Sequence, residues 1–309
     1  MGTVRALLFF LLACACTTFV QAGEQRSLTV GQAERSYYIH VPGGLPANAP
    51  LVIMLHGAGG SGQHAAEAYG WVRKADEARF LLIAPDASTV LADREASFLR
   101  NPRVWNDGSG RAGPNVTASD DIGFLRALID QASRQYGIDR QRVYVSGFSS
   151  GSSMTQRAGL EMANEIAAIA PAAGDLFGKR AALPRGLPVL ALVGDADPLA
   201  PWNGGEVVIP MWGSRSDSRP PFRANPEAWA AMNACGAQAD TRPYAGVRLT
   251  RWTACRDNVE VAFYVVEGMG HHWPGSERGP LMERNSGPSK NPFRAVDLIW
   301  DFFGRWSLP

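Results

Sequence analysis

The hydrophobic positions of the chain follow two patterns that alternate along its length. Short apolar or β-prone runs are typical of strands buried on both faces of a sheet; they lie at residues 50–55, 80–84, 143–146, 166–170, 188–193 and 261–266. Runs with a helical spacing or composition predict helices; they lie at residues 64–79, 122–136, 226–233 and 292–306. Strands that alternate with helices predict an α/β fold, with a mostly parallel, twisted sheet covered by helices on both faces.

The segments between these elements are predicted to be a hairpin and two long excursions. β-branched and aromatic residues at 27–41 predict a strand pair, which the Pro- and Gly-rich residues 42–46 end. The polar segment 87–116 is predicted to be loop-like. Residues 199–226 are rich in Gly, Pro, Trp and Arg and are predicted to be an inserted excursion from the core.

The predicted helix at residues 122–136 has a recognisable start and end. Ser119 is predicted to cap it, with Asp120 and Asp121 in the first turn, where the helix dipole favours carboxylates. Gly137 is predicted to end it. We therefore interpret the two aspartates as helix-start residues rather than as catalytic groups.

Residues 1–22 have the layout of a secretory signal peptide. Arg5 precedes an apolar run that is too short to span a membrane, and a small-x-small cleavage site ends at Ala22. We expect secretion, to the periplasm or the extracellular space, and a single domain at residues 23–309. A second processing site competes, because the residues before Cys14 resemble the box at which lipoproteins are cut, and cleavage there would leave a lipid anchor on Cys14.

Composition narrows the classes of partner and cofactor. The chain has 309 residues, of which 46% are hydrophobic and 19% charged, and its net charge is +1. These values fit one large globular domain and favour a neutral or small organic substrate over nucleic acid. The sequence predicts no metal and no cofactor, because it has no H-E-x-x-H, C-x-x-C or phosphate-loop pattern.

The four cysteines divide between the leader and the mature chain. Cys14 and Cys16 lie in the predicted leader, so that Cys235 and Cys255 remain. Two cysteines in an exported protein predict one disulfide, which closes a loop of roughly twenty residues. Two separate buried thiols are the alternative.

Residues 147–151, Gly-Phe-Ser-Ser-Gly, lie between a predicted strand and a predicted helix. A G-x-S-x-G turn in this setting holds its serine in a strained backbone conformation, and the flanking glycines leave room for it. Ser149 is therefore the candidate nucleophile. The pattern alone is a weak signal, because a serine-rich turn would also produce it, so a base, an acid and an oxyanion site must come from elsewhere in the chain.

A serine hydroxyl needs a base that is itself oriented by an acid. In this architecture the order along the chain is serine, acid, histidine, which excludes three of the five histidines, namely His40, His56 and His64. Of the other two we favour His271, which directly follows a flexible Gly-Met-Gly stretch, with His272 as the alternative. For the acid we favour Asp197, which lies further into its loop, with Asp195 as the alternative and a turn-forming role open for either.

A glycine-rich loop at residues 56–62 directly follows a predicted buried strand. It fits neither the dinucleotide fingerprint nor a phosphate loop. An oxyanion site needs only N–H groups and space. We therefore predict that the N–H groups of Ala58 and Ser150 hold the oxyanion of an acyl-transfer reaction.

Several separate blocks of the chain occur in the same order in a known enzyme family. They are residues 55–57, 105–108, 120–121, 142–144, 147–151, 196–198 with Pro201, Trp229 with Asn233 and Cys235, Cys255, 270–271 and 273–275. In these blocks the chain resembles the extracellular polyhydroxybutyrate depolymerase and feruloyl esterase group of α/β-hydrolases, over nearly the whole mature chain. The resemblance implies the α/β-hydrolase fold, a triad of Ser149, Asp197 and His271, and a disulfide between Cys235 and Cys255.

The resemblance also implies ester hydrolysis through an acyl-enzyme, on polyhydroxybutyrate-type oligoesters or on feruloyl or acetyl esters of plant polysaccharide. Three tryptophans in loops near the expected site are predicted to contact the substrate, with packing as the alternative; they are Trp105, Trp202 and Trp273. Ser152 stands where relatives usually carry a second glycine, which puts the substrate in doubt. The alternatives are a serine peptidase of the prolyl-oligopeptidase type and a non-catalytic surface protein that keeps the fold.

Overall fold

The computed structural model describes residues 23–209, 214–215, 218–276 and 286–309. The predicted leader, its cleavage site and the alternative lipid anchor at Cys14 lie outside the described residues. Within those residues, no helix combines the length and the apolar character that crossing a membrane requires.

The described strands and helices follow one another along the chain. The strands are β1 Glu24–Val30, β2 Ala33–His40, β3 Leu51–Leu55, β4 Leu81–Pro85, β5 Ser88–Thr89, β6 Arg103–Val104, β7 Val143–Phe148, β8 Ala168–Ala172, β9 Val189–Gly194, β10 Val208–Ile209, β11 Ser214–Arg215, β12 Ala237–Tyr244, β13 Val247–Thr253 and β14 Val261–Val266. The helices are α1 Gly62–Ala68, α2 Trp71–Ala78, α3 Pro114–Thr117, α4 Asp121–Tyr136, α5 Ser150–Glu161, α6 Ala224–Met232 and α7 Ala295–Phe303, with a 3₁₀ turn at Arg256–Asn258.

Ten of these strands form one sheet in the order β1-β2-β4-β3-β7-β8-β9-β14-β13-β12. The six central strands, from β4 to β14 in the sheet order, run parallel to one another, and the two strands at each end pair antiparallel. The predicted α/β class, with a mostly parallel sheet, is confirmed. Because the central strands are parallel, they all end at the same edge of the sheet, where the connecting loops can bring side chains together.

Helices cover both faces of the sheet, as the alternating direction of strand side chains requires. In β3, Val52 and Met54 point to the core beneath α1, α2 and α7. Leu51, Ile53 and Leu55 point to the other core, beneath α4, α5 and α6. Every residue of β3 is therefore buried, which explains why this strand is a continuous apolar run in the sequence.

The structure differs from the prediction at two helices. The helix predicted over residues 64–79 is two helices, because Gly70 between them has a φ of 82°, in the left-handed region that a helix cannot contain. Asp120, rather than Ser119, caps α4: its carboxylate accepts a hydrogen bond from the N–H of Gly123 at 2.8 Å. The predicted end of α4 at Gly137 is present, with a φ of 59°.

Antiparallel strand pairs also lie where no strands were predicted, the short pair of β10 and β11 among them. β12 and β13 form a hairpin that extends the sheet, and β12 is exposed along its whole length, so its sequence lacks an apolar pattern. Residues 88–104, hereafter the arm, form the second hairpin within the segment predicted to be loop-like. β5 and β6 pair at its base, and a bridge between Ser97 and Asn101 closes its tip.

The predicted disulfide between Cys235 and Cys255 is present. Cys235 lies just after α6, and Cys255 follows β13, so the bond ties the helix to the hairpin that extends the sheet. The two cysteines are 20 residues apart in the chain.

Replacing both cysteines by serine is expected to lower the free energy of unfolding by about 3 kcal/mol, because the unfolded chain regains the freedom of a closed loop. For a chain of this size that loss corresponds to a fall in Tm of roughly 5–10 °C. Differential scanning calorimetry measures it. Wild-type protein unfolded with a reductant should show the same lower Tm, and a reductant should not change the Tm of the double variant.

Candidate active site

Ser149 lies at a sharp turn between β7 and α5. Its φ is 57° and its ψ −121°, a conformation that costs on the order of 1–3 kcal/mol in a residue with a side chain. The two glycines of the turn are required by close backbone packing. An added Cβ on Gly147 would collide with the carbonyl oxygen of Gly151, and one on Gly151 with that of Leu55 in β3. The strand–turn–helix arrangement predicted from the pentapeptide is therefore the one observed.

Asp197 and His271 form a buried hydrogen-bonded pair at the same edge of the sheet. Asp197 follows β9 and His271 follows β14, and the His271 Nδ1 to Asp197 Oδ2 distance is 2.8 Å. The other carboxylate oxygen accepts the N–H groups of Leu199, at 2.8 Å, and Ala200, at 2.9 Å. Both oxygens of Asp197 are occupied, so its carboxylate holds the imidazole in one orientation.

The backbone of His271 is fixed by the chain that returns past it. The N–H of His271 donates to the carbonyl of Ser286 at 2.6 Å, and the N–H of Gly270 donates to that of Pro288 at 2.7 Å. An added Cβ on Gly270 would collide with the Ser286 carbonyl oxygen. Glycine is therefore the residue that lets the two segments approach here.

Asp195 and His272, the alternative candidates for the acid and the base, make other contacts. Asp195 accepts from the guanidinium of Arg248 at 2.9 Å and from the N–H of Gly268 at 2.6 Å. His272 Nε2 lies 2.6 Å from the carbonyl oxygen of Gly287. The structure thus brings Asp197 and His271 together, and it uses Asp195 and His272 to hold the surrounding loops.

His271 also borders the turn that carries Ser149. Its ring lies against that of Phe148, with 4.7 Å between the ring centroids. Among the hydrogen bonds of the described residues, none joins Ser149 Oγ to His271. In ligand-free enzymes this hydrogen bond is often long and tightens when substrate binds.

The loop after β3 lies against Ser149. An added Cβ on Gly57 would lie 3.3 Å from Ser149 Cβ. The N–H of Gly59 donates to Arg103 and that of Gly60 to Gly57. For Ala58 and Ser150, no acceptor is found for the N–H group within the described part of the chain. Ser150 begins α5, where the first N–H groups have no partner inside the helix.

His56 holds this loop in place, a role that the sequence reasoning missed. Its Nδ1 lies 2.7 Å from the carbonyl oxygen of Gly57, and its Nε2 accepts from the N–H of Ala87 at 3.0 Å. Trp105 donates its indole N–H to the His56 carbonyl at 2.9 Å. Burial lowers the pKa of His56 to about 4, which keeps the ring neutral. A histidine directly before a glycine-rich loop was the signal in the sequence.

The three predicted substrate-contacting tryptophans are not gathered around one opening. Trp105 and Trp273 are each 1% exposed, so both are packed inside the protein. Trp202 is half-buried, stacked on Phe263 and beneath the Arg248 guanidinium. Tyr69, which the sequence reasoning missed, stacks on Trp273 and is partly exposed. Substrate contact by the tryptophans stays a prediction.

Ser152 is fully buried in the first turn of α5. Its Cβ would lie 2.7 Å from a Cβ added to Gly174, so this serine packs against the turn after β8. Among the described residues, no hydrogen-bond partner is found for its hydroxyl.

The model of the phospholipase/carboxylesterase family matches residues 40–212, more than half of the chain. The chain belongs to this family. The matched region contains the turn at Ser149 and the loop of Asp197, and it ends before β14 and His271. Carboxylic ester hydrolysis, the predicted enzyme class, is the class of the family.

Individual relatives agree with the resemblance drawn from the sequence. The chain is 31% identical to a putative esterase, NocK, of Nocardia uniformis subsp. tsuyamanensis, over 90% of this chain and 81% of NocK. It is 27% identical to feruloyl esterase B of Piromyces equi, over 89% of this chain and 46% of that protein. It is 24% identical to poly(3-hydroxyalkanoate) depolymerase C of Paucimonas lemoignei, over 87% of this chain and 67% of that one. The predicted resemblance to depolymerases and feruloyl esterases is confirmed.

Several relatives are much longer than this chain. Besides feruloyl esterase B, the chain spans only 34% of a bifunctional acetylxylan esterase/xylanase, XynS20E, of Neocallimastix patriciarum. Among solved structures, an acetyl xylan esterase from Aspergillus awamori aligns with a TM-score of 0.60 at 15% identity, over 91% of this chain and 99% of that one. That likeness shows the fold, and the predicted α/β-hydrolase architecture is confirmed.

His56 predicts a pH dependence of stability. Between pH 6.5 and about 4 the unfolded chain binds a proton on this histidine and the folded protein does not, so the free energy of unfolding should fall as the pH is lowered through this range. The loss should reach roughly 3 kcal/mol at pH 4. Urea unfolding at several pH values measures it. His56→Gln should be less stable at pH 7 and show a flatter pH dependence, whereas His64→Gln, at an exposed histidine, should follow the wild type.

Proposed function

We propose that this protein is an exported serine esterase that works through a covalent acyl-enzyme on Ser149. The observation that carries the proposal is the Asp197–His271 hydrogen bond, at 2.8 Å, at the sheet edge where the strained turn holds Ser149. Export rests on the leader predicted at residues 1–22.

In the proposed mechanism, Ser149 Oγ attacks the ester carbonyl carbon while His271 Nε2 takes the hydroxyl proton. Nδ1 of the same ring faces Asp197, so its proton is held there and Nε2 is left free to act as the base. Collapse of the tetrahedral intermediate expels the alcohol, which receives the proton from His271. Water then attacks the acyl-enzyme with the same base, and the acid product leaves Ser149.

The proposed oxyanion site consists of the N–H groups of Ala58 and Ser150. Two observations support it: neither group has an acceptor among the described residues, and Gly57 lies close to the nucleophile. The neutral ring of His56 and the indole of Trp105 brace the Ala58 loop. Removing one oxyanion donor typically raises the barrier by roughly 3 kcal/mol.

For the substrate we propose an ester of a hydroxyalkanoate oligomer, or a feruloyl or acetyl ester of plant polysaccharide. Relatives named for each of these activities support the proposal. Ser152 is compatible with these substrates. The hydroxymethyl group that distinguishes it from glycine is buried against Gly174 in the turn after β8 and does not project into open space.

The triad is tested by single variants with matched neighbours. Ser149→Ala should lower kcat for p-nitrophenyl acetate by about 10⁶-fold, and Asp197→Asn by about 10⁴-fold, because the imidazole loses its orientation. His271→Gln should match Ser149→Ala. Steady-state kinetics on purified protein measures the losses, and a fluorophosphonate probe should label the wild type but not Ser149→Ala.

Asp195→Asn and His272→Gln are the controls, since each lies within two residues of a proposed triad residue in the chain and makes other contacts. Both should retain more than a tenth of the wild-type kcat. Loss of activity in Asp195→Asn, with Asp197→Asn still active, would show that Asp195 is the acid and that the proposed assignment to Asp197 is wrong.

The substrate class is tested by kcat/KM on methyl ferulate, acetylated xylan, 3-hydroxybutyrate oligomers and a prolyl-aminoacyl anilide. One of the three ester classes is expected to exceed the anilide by at least about 100-fold. Faster cleavage of the anilide would replace the esterase proposal with a peptidase.

A further inference from the structure

Large apolar side chains on the protein surface are concentrated on the arm. In the described part of the chain, four such side chains are exposed, and three of them lie here: Leu91, 42% exposed, Phe98, 38%, and Leu99, 60%. The fourth is Tyr244, 44% exposed, at the end of β12. Single exposed apolar residues are ordinary, but a cluster of them usually marks a surface that binds something.

Hydrogen bonds hold the backbone of the arm, so these three side chains project from a fixed position. Ser97 and Asn101 exchange two backbone hydrogen bonds, at 2.9 and 3.0 Å, beneath the tip. Asn101 is 1% exposed, and its amide oxygen accepts from the N–H of Leu91. Its NH₂ group lies within 3.2 Å of the carbonyl oxygens of Leu91, Arg94 and Glu95. A buried amide thus fixes both sides of the arm, so a ligand that docks on it would order little of the chain.

The tip of the arm is continuous with the proposed oxyanion site. The N–H of Gly59, next in the chain to Ala58, donates to the Arg103 carbonyl at 2.8 Å. The ring of Phe98 covers Gly59 so closely that an added Cβ would lie 2.5 Å from Phe98 Cδ2. A substrate whose carbonyl oxygen reaches the Ala58 N–H therefore has the arm beside it.

The charges of the tip favour an uncharged ligand. Between Leu91 and Arg100 the chain has two acidic residues, Asp93 and Glu95, and two basic residues, Arg94 and Arg100, which sum to zero. An anionic polymer or membrane surface would find no net attraction here. The binding free energy of an uncharged ligand would come from burial of apolar area, which contributes about 0.8 kcal/mol for each CH₂ group removed from water.

We propose that Leu91, Phe98 and Leu99 form a docking surface for the aliphatic part of the ester substrate, an acyl or polyester chain that extends from Ser149 along the arm. The proposal rests on the proposed function of the same site and adds the class of chain that the site selects. Longer aliphatic esters then bind better than acetate because they cover these three side chains.

The test compares two esters in a variant that leaves the oxyanion loop alone. Leu91→Ser/Leu99→Ser removes the two leucines and keeps Phe98 on Gly59. For this variant, kcat/KM for p-nitrophenyl octanoate should fall about tenfold, which equals about 1.4 kcal/mol, while the value for p-nitrophenyl acetate stays within about twofold. Tyr244→Ser, which removes the exposed aromatic residue far along the sheet, should leave both values unchanged.

Phe98→Ser provides a second variant. It should lower the octanoate-to-acetate ratio further, and a loss shared equally by both esters would show that Phe98 only supports the oxyanion loop. The proposal is overturned if the leucine variant keeps the wild-type ratio, or if sedimentation shows a wild-type dimer that the leucine variant dissociates, because a second copy would then cover the surface. A wild type that cleaves neither ester would contradict the proposed esterase itself, whereas normal acetate cleavage with an unchanged ratio contradicts only the role of the arm.

Discussion

Close backbone approach at the end of β7 is the constraint on which the site depends. Gly147 and Gly151 have no room for a Cβ, because each lies against a carbonyl oxygen of a neighbouring segment, and Gly174 lies in the same way against the carbonyl oxygen of Ser149. These contacts hold Ser149 at a φ of 57°, which a serine in an open loop would avoid. The packing of β3, β7 and β8 therefore supplies the free energy that keeps the serine in its strained conformation.

The other proposed catalytic groups lie at the same edge of the sheet as Ser149 because the central strands are parallel. β3, β9 and β14 end at the same edge as β7, so the proposed oxyanion loop, Asp197 and His271 come together there from segments far apart in the chain. Each is then fixed by backbone hydrogen bonds: two N–H groups bind Asp197, and the returning chain at Ser286 and Pro288 binds the His271 segment. Holding such groups rigidly before the substrate arrives is how an esterase lowers the cost of reorganisation during the reaction.

Much of this was predictable because burial on both faces of a parallel strand leaves an unbroken apolar run, as in β3 and β14. The turn at Ser149 and the loop at Ala58 were predictable because glycine is required where backbones touch. The order of groups along the chain left two acids and two bases, and only the folded contacts of Asp195 and His272 distinguish them from Asp197 and His271.

Other features were not predictable, because they depend on surroundings rather than on pattern. β12 is exposed throughout and has no apolar signal, and the break at Gly70 requires a backbone angle that glycine permits without demanding it. The arm was predicted to be a loop because its composition is polar. Its structure depends on the hydrogen bonds of the Asn101 side chain, which take the place of an apolar core and leave no pattern in the sequence. Trp105 and Trp273 resemble surface aromatics in the sequence, yet neighbouring rings and carbonyl groups enclose them.

A ten-stranded sheet with two edge strands also has to avoid pairing with the sheets of other molecules in solution. β12 forms one boundary, and it contains Asp240 and, within a register shift of its pairing with β13, Arg242 and Pro243. Charges, a proline and an irregular ladder each discourage a second chain from adding itself as an eleventh strand. The same exposed strand that gave no apolar signal thus disfavours edge-to-edge aggregation.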